Sequence, residues 1–117
     1  MSRILLVDDD RDMIRLSANW LKKAGHEVIE AYSGEEALTK ASGCDLIILD
    51  YAMPGMDGPE TFKALKSSED TSGIPIIFRT GMEDEESLKK TEEIHPDGVA
   101  PKSEGKACLM KAVEQAL

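Results

Sequence analysis

The sequence predicts an α/β domain built on a doubly wound, five-stranded parallel sheet with five helices covering both faces. Two observations carry that prediction. Short apolar runs stop abruptly at polar residues, as strands buried on both faces do, and segments with apolar residues three and four positions apart alternate with them. The length sets the scale: 117 residues, 41% of them hydrophobic, supply one core and leave little for a second, so residues 1–117 are expected to be a single domain.

Ile4 to Val7 is the first apolar run. In the helix after it, Met13, Ser17, Trp20 and Ala24, with Ile14, Ala18 and Leu21, recur at helical spacing, and Gly25 stops it. Residues 26–31, "HEVIEA", are more polar and read as an edge strand. Ser33 and Glu36 form a capping box that opens the second helix around Ala37, Leu38 and Ala41. "DLIILD", Asp45 to Asp50, reads as a central strand, and Asp57, Pro59 and Glu60 open a third helix with Phe62 and Leu65 on its inner face. "IPIIFRT" predicts a fourth strand ending at Thr80. The acidic "EDEESLKKTEEI" predicts a fourth helix, whose narrow inward stripe of Leu88, Thr91 and Ile94 implies loose attachment. "GVAPK" is a short fifth strand, and residues 103–117 form the last helix, with Leu109, Val113 and Ala116 on one face.

Lys and Arg total 14 against 23 Asp and Glu, a formal net charge of −9 with no basic cluster, which argues against direct nucleic-acid binding. Two cysteines, Cys44 and Cys108, match no metal-ligand spacing, and no signal peptide or long apolar segment is visible. A reducing cytoplasmic setting away from the membrane, with two free thiols, is the expectation. His26 and His95 have no neighbouring ligand cluster and are read as neither catalytic nor metal-bound.

In open parallel sheets, ligands collect at the carboxyl ends of the strands, where strand order reverses. Four of the five predicted strands end there in a chemically useful residue: Asp8 with Asp9, Asp50, Thr80 and Lys102. Any one of them alone is merely the first polar residue after a buried run. Together, carboxylates that cannot all stay ionised without a counter-charge select a hard divalent cation, Mg2+ above all, while Thr80 offers a hydroxyl and Lys102 a mobile positive charge. That set suits the stabilisation of a phosphoryl group in transit, with a carboxylate as covalent acceptor. Asp10 is assigned instead to the cap of the first helix.

"ILLVDD", "LIILDYAMPGMDG", "PIIFRTG" and "APK" stand in the order and at the spacing of a known family: the chain resembles the receiver domain of two-component response regulators from about residue 2 onward. The resemblance implies a flavodoxin-like fold with strand order 2-1-3-4-5. It also implies Asp50 as phosphoacceptor, with Thr80 and Lys102 contacting the phosphoryl group. Asp8, Asp9, Asp50 and the backbone carbonyl of Ala52 would make up the Mg2+ site. The implied phosphodonor is a phosphohistidine on a sensor histidine kinase or a histidine phosphotransfer protein, and the protein modifies itself rather than turning over external substrates. A downstream effector domain or protein, and homodimerisation through the face of the fourth helix, fifth strand and fifth helix, belong to the same implied picture.

Two departures stand out. Lys102 is followed by Ser103 rather than proline, and a cis bond before a non-proline residue costs about 3 kcal/mol, so a trans bond is expected. Val99 occupies the position of the family's aromatic switch residue, which makes a phosphate relay or sink with little conformational output an alternative. A pseudo-receiver acting only as an interaction module, and a haloacid dehalogenase-type phosphohydrolase using Asp8 as nucleophile, are further alternatives. The second leaves Asp50 and "MPGMDG" unexplained.

Overall fold

The computed structural model describes residues 2–51, 53–79, 97–100 and 105–117. Its strands are β1 (Arg3–Val7), β2 (Glu27–Ala31), β3 (Leu46–Asp50), β4 (Ile76–Arg79) and β5 (Gly98–Val99). All pair in parallel, in the order β2-β1-β3-β4-β5. The polar segment 26–31 is thus the edge strand β2, and every residue of β3 is buried at the centre.

The described helices are α1 (Arg11–Lys23), α2 (Gly34–Lys40), α3 (Gly58–Lys66) and α4 (Gly105–Ala116). The helix expected from the acidic segment 83–94 lies outside the described residues, and so does the Lys102–Ser103 peptide. Strand alternation splits the core in two. Ile4, Leu6, Leu46, Ile48 and Ile77 pack with α1 and α4 through Ile14, Ala18, Leu21, Leu109 and Val113. On the opposite face Leu5, Val7, Ile47, Leu49, Ile76 and Phe78 pack with α2 and α3 through Ala37, Phe62 and Leu65. Each such aliphatic or aromatic side chain contributes about 1.5–3 kcal/mol when taken fully out of water. Ala24, expected on the inner stripe of α1, is instead its exposed C-cap, because Gly25 at φ 94° turns the chain there.

Caps follow the sequence signals with one adjustment. Asp10 accepts from the amides of Asp12 and Met13, Ser33 from Glu36 and Asp57 from Glu60. Glu36 reaches back past its own cap residue to the amide of Tyr32, 2.8 Å away, so this box closes one residue earlier than expected. Among the described residues no helix is long and apolar enough to cross a membrane.

Candidate functional site: an acidic cluster at the carboxyl ends of the central strands

β1 and β3 run side by side in the middle of the sheet, and the chain leaves them toward opposite edges. Their carboxyl ends therefore flank the reversal point, where an open parallel sheet forms its crevice. Val7 is level with Leu49, so the next residues, Asp8 and Asp50, emerge beside each other. Asp8 and Asp50 are buried and Asp9 is exposed, and one carboxylate oxygen from each lies within 4.8 Å of the others. The amide of Asp8 still donates to Ala31 O at 3.1 Å, which keeps it in the sheet, and Asp8 Oδ1 accepts from the Asp10 amide at 2.9 Å, which orients its carboxylate. Three convergent carboxylate oxygens are a donor set that a hard divalent cation takes, so the residues fit Mg2+.

The floor of the site is held from the other face of the sheet. The amide of Tyr51 donates to Arg79 O, and the first residue of α3, Gly58, donates its amide to Tyr51 O, both at 2.9 Å. Phe78 is stacked on Phe62 with ring centroids 5.6 Å apart and meets Tyr51 edge-on at 5.9 Å. These contacts fix the backbone that follows Asp50 between β4 and α3.

One residue at the site had no place in the expected set. Arg79, level with Asp50 in the register, is only 3% exposed and donates from Nη1 to Ser17 Oγ of α1 at 3.0 Å. Burial pushes its pKa down, and the carboxylates of Asp8 and Asp50 pull it back up. The sequence signal was available: in "IIFRT" the arginine stands two residues after inward-facing Ile77, on a strand with no solvent face. Asp10 is confirmed as the cap of α1, separate from the acidic cluster. Thr80, Lys102 and Ala52 lie outside the described residues, while Val99 is 38% exposed on β5.

Comparison with known proteins decides the family: residues 4–114 match the response regulator receiver domain. This chain belongs to the receiver-domain family. The receiver domain is 38% identical to the transcriptional regulatory protein CpxR of Escherichia coli, over 87% of this chain and 43% of CpxR. It is 38% identical to protein PilH of Pseudomonas aeruginosa, over 73% of this chain and 72% of PilH. Among solved structures, the chemotaxis protein CheY4 of Vibrio cholerae superposes with a TM-score of 0.91 at 31% identity, covering 100% of this chain and 99% of CheY4. The receiver spans about two-fifths of the length of CpxR and of the Bacillus subtilis regulatory protein YrkP, to which it is 40% identical.

Proposed function

We propose that residues 1–117 form one receiver domain that takes a phosphoryl group onto the Asp50 carboxylate from a phosphohistidine of a sensor histidine kinase or a histidine phosphotransfer protein. The observation that carries this reading is the meeting of Asp50 with Asp8 and Asp9 at the reversal point of a receiver-type sheet. An Asp50 oxygen attacks phosphorus, the phosphorus–nitrogen bond breaks, and the departing imidazole keeps the electron pair and takes up a proton. When bound, Mg2+ neutralises charge on the phosphoryl oxygens. Asp8, Asp9 and Asp50 would hold it, and the sequence motif adds the backbone carbonyl of Ala52 to the donors. Asp8, oriented by the Asp10 amide, presents its carboxylate without having to reorganise. Thr80 and Lys102 are assigned to the phosphoryl oxygens on the strength of the sequence motifs.

On this reading the domain modifies itself and is not a turnover enzyme. The free Cys44 and Cys108 suit the reducing cytoplasm. A second reading, a relay or sink that passes phosphate on with little change of shape, is favoured by the small, exposed Val99 at the switch position. The test is intact-mass measurement after incubation with a small phosphodonor and Mg2+. A single added phosphate that disappears in Asp50→Asn supports the proposal, turnover that depends on Asp8 in the absence of Asp50 supports a hydrolase, and no modification at all leaves an interaction module. Amide shifts of β5 and α4 on phosphorylation then separate a conformational switch from a relay.

A further inference from the structure

The rest of β4 is apolar: Ile76, Ile77 and Phe78 are fully buried, and Arg79 follows them into the same interior. A cation taken out of water is tolerated only where negative or hydrogen-bonding groups compensate it. The described residues supply one hydrogen bond, from Nη1 to Ser17 Oγ, and the buried Nε has no hydrogen-bond partner among them. Compensation comes from charge. Leu6, Ile48 and Ile77 all face α1 and α4, and the residues two further along their strands are Asp8, Asp50 and Arg79. With a side-chain period of two, these three share that side of the sheet, close enough for the charges of Asp8 and Asp50 to act on Arg79. Ser17, itself buried, accepts the hydrogen bond that links the guanidinium to α1.

We propose that Arg79 is a built-in counter-charge of the acidic cluster: a positioning residue that offsets Asp8 and Asp50 before the metal arrives, and so sets how tightly the cluster takes Mg2+. The proposal rests on Asp8, Asp9 and Asp50 being the metal site. Like charges repel, so a fixed guanidinium beside the carboxylates weakens divalent-ion binding while it stabilises the metal-free state. Removing it reverses both effects. The metal-free domain loses one of the charges that relieve carboxylate repulsion, and the ion gains a site of higher negative charge.

The experiment is a Mg2+ titration followed by amide chemical shifts, with thermal midpoints in chelator and in saturating Mg2+, on the parent chain, Arg79→Met, Arg79→Lys and Ser17→Ala. Arg79→Met is expected to bind Mg2+ about tenfold more tightly, with a midpoint that falls in chelator and recovers with Mg2+. Arg79→Lys keeps the charge, and Ser17→Ala keeps the guanidinium, so both stay within about twofold of the parent. An Arg79→Met affinity within about twofold of the parent, or weaker, overturns the proposal while the metal site stands, provided that Asp9→Asn abolishes Mg2+ binding. Lack of any Mg2+ response in the parent and in Arg79→Met alike overturns the metal site and the proposal together. Should Arg79→Met fail to fold even with Mg2+, the neutral but polar Arg79→Gln takes its place: binding about tenfold tighter supports the counter-charge, and affinity within about twofold of the parent overturns it.

Discussion

Gly58→Ala sets two elementary effects against each other at the back of the candidate site. Gly58 is the first residue of α3, and alanine inside a helix is favoured over glycine by about 1 kcal/mol. Against that, a Cβ at Gly58 would lie 2.7 Å from Asp50 O, 2.7 Å from Tyr51 Cα and 2.8 Å from Tyr51 O. All three are backbone atoms, pinned by the Gly58–Tyr51 and Tyr51–Arg79 hydrogen bonds, so no side chain can turn aside. Restoring ordinary contact requires α3 and the end of β3 to separate by roughly 0.5–1 Å. Overpacking of this kind costs about 2 kcal/mol, which exceeds the helix gain and leaves a net loss of about 1 kcal/mol. With a urea slope of about 2 kcal/mol/M, the unfolding midpoint should fall by roughly 0.5 M. Because the displaced backbone carries Asp50, phosphate uptake from a small phosphodonor should slow as well, by up to about a hundredfold for a 1 Å misplacement. Gly73→Ala is the control, since a Cβ there meets nothing within 4 Å. A Gly58→Ala domain with an unchanged or raised midpoint and normal phosphate uptake would refute the reasoning.

Asp57→Ala removes the oxygen that accepts from the Glu60 amide at 2.9 Å, and should lower stability by about 1 kcal/mol in urea denaturation with little change in slope. Mg2+ should raise the melting temperature of the parent, and Asp9→Asn should abolish that rise, because Asp9 is the exposed member of the cluster and has little other structural work. Burial raises the pKa of the Cys44 thiol, so the folded state keeps its proton at a pH where the unfolded chain loses it. Stability therefore falls as pH rises through the unfolded thiol value of about 8.5, an effect that Cys44→Ala should remove from a pH series of denaturation curves. Native-state alkylation at pH 8 should likewise reach half-buried Cys108 before Cys44, as peptide mass mapping would show.

Where burial is two-sided, the sequence was easy to read. "ILLV" and "LIIL" admit no polar residue, so their strand character and central position follow from composition alone, and the first carboxylate after each marks the carboxyl end where the site forms. The caps Asp10, Ser33 and Asp57 were equally legible, because their chemistry is local. What depends on contacts between distant segments was harder. The reach of Glu36 to Tyr32 is decided by how the chain enters α2 from β2, which no local pattern states. Arg79 was absorbed into a strand prediction that ran on to Thr80. Its significance depends on Ser17, 62 residues away, and on a register that sets it level with Asp50.

The alternation that separates the two cores also gives the site a parity. Asp8, Asp50 and Arg79 fall on the beat that faces α1 and α4, and the aliphatic and aromatic residues that brace the opposite face fall on the alternate beat. Deleting one residue within β3 would drag Asp50 into the greasy layer beneath α3 and bring Tyr51 into its place beside Asp8. Deleting two would restore the beat but pull the carboxyl group back by about 6.6 Å, out of reach of Asp8 and Asp9. Length variation in descendants of this chain is therefore confined to the connections, such as the Ser67–Gly73 turn after α3, and the site itself can evolve only by substitution.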